Sequence, residues 1–282
     1  MIVVEAGGDL ASRPEWRKSI ATELVAIRAR GPVVLVHGGG PQLDEALRLS
    51  GVAVERHAGR RVTSEAVLSR AIEIWRGTLS TQWVRAIQQA GGQGVGLSGV
   101  DGAMLRAVRR EPVEVDGRVV DFGEVGDVRG VDTTALGALL SAGMIPVVSP
   151  LAVTVRGAVL NINADTVAAH LAVALGASEL VLFTRAAGIL KDPDDPASVL
   201  GATTLEQLGE LERCGAIHSG MRPKIEAIRV ALEGGLRSAR VRDGRGLESS
   251  GTTVRIAKEA PMDAELRVPG WDRPLRCVEL CF

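Results

Sequence analysis

The stretch Val33-Val34-Leu35-Val36-His37-Gly38-Gly39-Gly40-Pro41-Gln42-Leu43-Asp44-Glu45-Ala46-Leu47 decides the fold. Four aliphatic residues make a buried strand, glycines turn the chain, and a proline opens a helix whose apolar positions return at helical spacing. Glycines let the backbone turn sharply and bare its N–H groups, and the helix start adds partial positive charge, so the turn suits an anion. It lacks the Gly-Lys-Ser/Thr of a Walker loop and the Gly-x-Gly-x-x-Gly of a dinucleotide fold. Strand-to-helix turns also use glycine for packing alone, and His37 by itself reads as a turn-packing residue.

Outward from this turn, short β-branched runs alternate with longer helical patterns. Ile2-Val3-Val4 forms a strand ending at Gly7-Gly8, a helix spans 14–30, another begins at Pro41, and a long helix spans 64–90. Strands follow at Gly94–Leu97 and Met144–Val148, then a helix over Asp165–Leu175, a strand over Glu179–Phe183 and a Gly/Pro/Asp-rich loop over 184–195. Helices at Thr204–Cys214 and Lys224–Glu233 and closing strands at 239–242 and 253–256 complete the pattern. This βαβ alternation predicts a mainly parallel sheet with helices on both faces. Between them, Glu111–Val128 alternates around Asp116-Gly117, a dipeptide suited to a tight turn, and predicts an antiparallel hairpin beside the main sheet.

The charges nearly cancel, 33 Lys+Arg against 34 Asp+Glu, so nothing global argues for nucleic acid or an anionic membrane as partner. No run reaches the roughly 18 apolar residues of a membrane span, and the strand-like run at Met1 followed by glycines gives no expectation of a secretory leader. Cys214, Cys277 and Cys281 match no zinc spacing and read as reduced thiols, which with no leader expected gives a cytoplasmic expectation. Lysines occur only at 18, 191, 224 and 258 in a chain that otherwise uses arginine, which singles out each of them. The last segment, 259–282, loses periodicity and reads as an accessory tail.

Several motifs, in order, carry a family resemblance: HGGGPQ (37–42), GRRVT (59–63), GLSGVDGAML (96–105), GEVGDV (123–128), IPVVSP (145–150), LNINADTVAAHLA (160–172) and GMRPKIEAI (220–228). Together they resemble the acetylglutamate kinases of the amino-acid kinase family, over residues 1 to about 256. The resemblance implies an α/β fold, a three-layer αβα sandwich with a mainly parallel central sheet and two lobes. Residues 1–175 are then expected to bind the acyl amino acid and dimerise, and residues 176–258 to bind the nucleotide. It implies ATP as phosphoryl donor with Mg²⁺, N-acetyl-L-glutamate as acceptor, and a homodimer. Arginine-inhibited hexameric members carry a helix before the first strand, whereas Met1 opens the strand here, so a plain dimer is expected.

Transfer to a carboxylate brings two anions together, so donors and cations matter more than a base. By resemblance, Gly7, Gly8, Gly38 and Gly39 offer backbone N–H groups to the transferring phosphoryl and the attacking carboxylate. Arg61 matches the clamp on the substrate's α-carboxylate, a task for a bidentate guanidinium. Asn161 and Asn163, two apart in a strand-like segment, are expected to share a face and hold substrate. Asp165 reads locally as the N-cap of the next helix and, by resemblance, as the acid that orients the phosphate lysines. Lys224 matches the nucleotide-side lysine. Thr184, Arg185 and Gly188 are expected at the nucleotide, and no protein metal site is expected.

Two positions depart from the family. Its signature at the first strand exit is Lys-x-Gly-Gly, where this chain has Glu5-Ala6-Gly7-Gly8, a reversal of charge. Where the family has Thr/Ser-Asp-x-x-Gly, this chain has Thr184-Arg185-Ala186-Ala187-Gly188. The two read together as an exchange, with Arg185 reaching toward the phosphates and Glu5 pairing with it. The alternatives to an acetylglutamate kinase are an impaired or regulatory paralogue that binds without turnover, and a kinase for a carrier-linked aminoadipate or glutamate.

Overall fold

The computed structural model describes residues 1–217, 220–244 and 251–257. The expected tail, with Cys277 and Cys281, lies outside the described residues. An eight-stranded sheet runs in the order Ala202–Thr204, Gly251–Arg255, Ser238–Asp243, Glu179–Thr184, Ile2–Ala6, Val33–His37, Ile145–Ser149 and Gly94–Ser98. Every neighbouring pair is parallel except Ser238–Asp243 with Gly251–Arg255. Val33–His37 and Ile145–Ser149 are buried at every position, which is why they read as continuous apolar runs rather than alternating ones.

Two apolar cores lie on opposite faces of this sheet. Val3, Val34, Val36, Leu180 and Leu182 pack with Leu136, Val167, Leu208 and Ile225 of the helices Thr134–Ser141, Ala164–Ala174, Leu205–Arg213 and Arg222–Glu233. Val4, Ala6, Val33, Leu35 and Val181 pack with Ile20 and Leu43 of Pro14–Arg28 and Gly40–Leu49, and with Trp83 of the long helix after residue 64. The layers are therefore helix, sheet, helix. Alternation along Ile2–Ala6 sends Val3 and Glu5 to one face and Val4 and Ala6 to the other. Among the described residues no helix is long and apolar enough to cross a membrane.

The expected helix at 64–90 is present in extent but not in winding. Val67, Ala71, Trp75, Leu79, Trp83 and Ile87 recur every four residues and all are buried. In a 3.6-residue helix each such step drifts the side chain by about 40°, so five steps would carry Ile87 about 200° away from Val67. The chain resolves this by underwinding: Glu65–Ile72 is α-helical, Glu73–Leu79 is a π-helix, and Ser80–Gln89 is α-helical again. The wider turn rotates the later residues back onto the sheet.

The expected hairpin is Val113–Val115 with Arg118–Val120, and Asp116 (φ 49°) and Gly117 (φ 75°) take the left-handed conformations that its two-residue turn requires. A second sheet, not expected from the sequence, orders Val159–Asn161, Leu151–Val153, Leu105–Arg109 and Gly126–Val131. It brings GEVGDV beside NINAD: Asn161 N donates to Glu124 O at 2.9 Å.

Candidate active site

Ile2–Ala6 and Val33–His37 end together, Ala6 opposite His37, so their glycine turns emerge side by side at the carboxyl ends of parallel strands, where open α/β sheets hold ligands. The turns touch backbone to backbone. Gly38 N donates to Ala6 O at 2.9 Å, and a Cβ on Gly38 would come 2.9 Å from Gly8 N. A Cβ on Gly8 would come 2.7 Å from Pro41 Cδ and 2.8 Å from Gly40 N. Gln42 Nε2 donates to Gly8 O at 2.7 Å and ties the second turn to the first. Helix Gly40–Leu49 starts at Gly39, which gives its first amides no side-chain cap, and an uncapped helix start suits an anion.

On one face beneath the turns, Lys224 Nζ donates to Asp165 Oδ1 at 2.6 Å and to Glu5 Oε2 at 2.8 Å. Lys224 stands at the start of Arg222–Glu233 and Asp165 in the first turn of Ala164–Ala174, and all three side chains are buried. Burial is the largest influence on Glu5 and, with Asp165 beside it, pushes the carboxyl up to about 8 against the pull of Lys224. Burial alone would lower Lys224, but Asp165 and then Glu5 outweigh it and hold the ammonium above its usual range. Near neutral pH the cluster thus keeps a proton on Glu5 and one ammonium between two carboxyl groups. The expected pairing of Glu5 with Arg185 is corrected: the partner of Glu5 is Lys224, because Glu5 points to the face that carries Asp165 and Lys224.

On the opposite face, His37 is fully buried, with Nδ1 3.1 Å from Gly38 O and Nε2 3.0 Å from Ser149 Oγ, while Ser149 Oγ lies 3.2 Å from Trp75 O. Burial pushes His37 down to about 4, so the ring is neutral at physiological pH. A carbonyl only accepts, so the single ring proton sits on Nδ1 and donates to Gly38 O. Nε2 then accepts from the Ser149 hydroxyl. That hydroxyl has one proton, for which Nε2 and Trp75 O compete as acceptors. The reading of His37 as a turn-packing residue fits this geometry.

Past the second turn, Arg61 donates to Asp44 Oδ1 at 2.5 Å and to Gly40 O at 3.1 Å, with its side chain 9% exposed. Its Nε is buried without a hydrogen-bond partner among the described residues. Arg56 also grips Asp44, with both carboxylate oxygens bonded. Asn161 Nδ2 donates to Thr63 Oγ1 at 3.1 Å, so GRRVT and NINAD meet. The local expectation of Asp165 as the N-cap is corrected. Asn163 is the N-cap, accepting from Thr166 N at 3.2 Å, and Asp165 turns inward to Lys224. Asn161 ends its strand and Asn163, still in extended backbone, caps the helix, while Leu160 before them and Ile162 between them are buried in the core.

On the remaining side, Thr184 ends its strand and Arg185 lies exposed with Nε 3.3 Å from Asp9 Oδ2, beside the Gly7–Gly8 turn. Gly188 has a packing reason of its own: a Cβ there would come 2.7 Å from Thr252 Oγ1. Asp44, Ser149 and Trp75 went unnoticed in the sequence. The four-residue recurrence through Trp75 was the one available signal for its placement.

Glycine turns on adjoining parallel strands, flanked by a buried ammonium and an arginine, define an α/β protein built to hold anionic groups at strand ends. Residues 1–243 match the Amino acid kinase family, and the chain belongs to it. It is 44% identical over 250 residues to the acetylglutamate kinase of Myxococcus xanthus, covering 86% of this chain and 81% of that one. It is 38% identical over 256 residues to the acetylglutamate kinase of Methanopyrus kandleri, covering 90% of this chain and all (100%) of that one. Among solved structures, the smu.665 protein of Streptococcus mutans UA159 superposes with a TM-score of 0.77 at 26% identity, covering 91% of this chain and 98% of that one. An N-acetylglutamate synthase from Neisseria gonorrhoeae, complexed with coenzyme A and N-acetyl-glutamate, superposes at 0.75 with 26% identity, over 91% of this chain and 59% of that one.

Proposed function

We propose that the protein transfers the γ-phosphoryl group of ATP to the γ-carboxylate of N-acetyl-L-glutamate, a step of arginine biosynthesis. A carboxylate oxygen forms a bond to the γ-phosphorus as the bond to the β-bridging oxygen breaks, leaving an acyl phosphate and ADP. The observation that carries the reading is the contact of the turns at Gly8 and Gly38, close enough that only backbone separates them. Donor and acceptor anions held on those turns are brought into line by the fold itself.

In this reading Gly7 and Gly8 hold the nucleotide phosphates, and Gly38 and Gly39 hold the attacking carboxylate and the transferring group. Arg61 takes the α-carboxylate with its guanidinium, steadied by Asp44, and Asn161 and Asn163 flank the acyl chain. Lys224 neutralises charge on the transferring phosphoryl and Asp165 orients it. Thr184, Arg185 and Gly188 border the nucleotide. Residues 1–175 then serve the acyl amino acid and 176–258 the nucleotide. Among the described residues no cluster of three or more His, Cys, Asp or Glu is placed to hold a metal, and Lys224 engages both Glu5 and Asp165. Mg²⁺ accordingly fits as a companion of the phosphates, where it supplies further neutralisation. The proposal extends to a homodimer in the cytoplasm, checked by sedimentation and fractionation.

Hydroxylamine trapping tests the reaction: hydroxamate should accumulate with ATP and N-acetyl-L-glutamate together, and ADP release that is indifferent to N-acetyl-L-glutamate refutes it. A second reading, binding without turnover, is favoured by the grip of two carboxyl groups on Lys224. It predicts calorimetric binding of nucleotide with no hydroxamate.

A further inference from the structure

We propose that Trp75 and His37 are positioning residues that pin two successive peptide planes of the anion-binding turn, and that the π-helical segment Glu73–Leu79 is what brings Trp75 to its place. The inference rests on the proposed phosphoryl transfer and assigns the donors of that site more closely.

Two buried side-chain donors reach two consecutive carbonyls, the second of which also accepts from Leu43 N at 3.0 Å in the first turn of its helix. His37 Nδ1–H donates to Gly38 O at 3.1 Å, and Trp75 Nε1–H donates to Gly39 O at 3.0 Å. A trans peptide is planar with its C=O and N–H pointing opposite ways. Fixing the Gly38 carbonyl inward therefore turns the Gly39 N–H away from the buried face, and fixing the Gly39 carbonyl does the same for the Gly40 N–H. Gly40 opens its helix, so its N–H has no partner within that helix, and it lies beside the Gly8 turn. The two outward amides form a paired donor whose direction is set from beneath.

The indole also lies against Gly39 itself. A Cβ there would come 2.4 Å from Trp75 Cδ1, 2.5 Å from Nε1 and 2.6 Å from Leu79 Cδ1. Trp75 and Leu79 both belong to the π segment, the stretch of the long helix that departs from α geometry. Single π turns in helices recur at functional sites. Core packing alone needs neither an indole N–H nor its hydrogen bond to a glycine carbonyl. A rigid donor pair does, because preorganised donors stabilise developing charge without reorganising during the reaction.

The test uses Trp75→Phe, which keeps a ring on Gly39 and removes the N–H. In the hydroxamate assay kcat should fall tenfold or more, while KM for N-acetyl-L-glutamate stays within threefold and the melting temperature within a few degrees. With glycine-labelled protein, AMP-PNP should shift the amide protons of both Gly39 and Gly40 in the wild type. Trp75→Phe should lose the shift at Gly40 and keep that at Gly39. His37→Asn, whose amide sits where Nδ1 does, should retain more activity than His37→Leu. An unchanged kcat, or an identical Gly40 response in the two proteins, overturns the proposal. Should the wild type yield no hydroxamate, phosphoryl transfer fails as a reading, while the Gly40 comparison still decides the brace.

Discussion

Replacing Glu5 with glutamine tests the protonation of the buried cluster. In the fold burial and Asp165 raise the Glu5 carboxyl from an ordinary 4.5 to about 8. Between those values the folded state binds a proton that the unfolded chain releases, so stability is full below pH 4.5 and is lost as pH rises through 8. At about 1.4 kcal/mol per pH unit, the whole span amounts to about 5 kcal/mol, and about 3 kcal/mol of it falls between pH 5.5 and 8.5. His37 acts oppositely: lowered from 6.5 to about 4, it contributes stability above 6.5 that is lost as pH falls toward 4. That contribution is common to both proteins and cancels in the comparison. Urea titrations at pH 5.5 and 8.5 should show the wild type losing about 3 kcal/mol more than Glu5→Gln. Activity should follow the same sign, with a fall above pH 8 that the variant lacks. Parallel stability profiles for the two proteins would refute the reasoning, because Glu5 would then titrate alike in the folded and unfolded chains.

Gly39→Ala drives a methyl into Trp75 and Leu79; it should cost about 1–3 kcal/mol in urea titration and about a hundredfold or more in kcat. Arg61→Lys keeps the charge but loses the fork beside Asp44, so steady-state kinetics should show KM for N-acetyl-L-glutamate raised about tenfold and KM for ATP unchanged. Lys224→Met leaves Glu5 and Asp165 facing each other without their shared ammonium; kcat should drop by about a hundredfold or more, and unfolding should be easier by about 3–5 kcal/mol. Adding Glu5→Gln to that variant should change stability little near pH 7, where Glu5 is already protonated, and restore none of the rate.

Much of the scaffold was legible because its signals are local. The parallel strands read as apolar runs, Asp116-Gly117 announced its turn, and Thr204 with Gln207 forms the capping box that starts the helix predicted there. The αβα layering followed from the alternation of strand and helix. What escaped were features that depend on three-dimensional company. Glu5 read as a charge reversal at a phosphate site, and nothing in the sequence showed that its carboxyl would lie 2.8 Å from Lys224, 219 positions away in the chain. Asp165 had two readings in the sequence, and Asn163 took the cap because it stands one residue before the helix, which leaves Asp165 inside the first turn and aimed at the core. The period of four in Val67–Ile87 was visible, but its consequence, a π turn placing an indole on Gly39, appears only once the sheet defines which face must stay covered.

The charge reversal at residue 5 is compatible with a phosphate site because the unit that meets the ligand is the cluster, not the residue. A glutamate that holds its proton contributes no charge, so Lys224 and Asp165 cancel and the cluster is close to neutral. A neutral cluster does not repel an incoming polyphosphate, but it does not attract one either. The attraction must then come from elsewhere, and the structure offers it in the uncapped amides at the start of Gly40–Leu49, the outward N–H groups of the pinned glycines and Arg185 at the rim. Backbone amides carry only partial charge, so their contribution depends on alignment more than on number. A chain with a carboxyl group at this strand exit therefore leans harder on the rigidity of its glycine turn, and the two buried donors beneath Gly38 and Gly39 supply that rigidity.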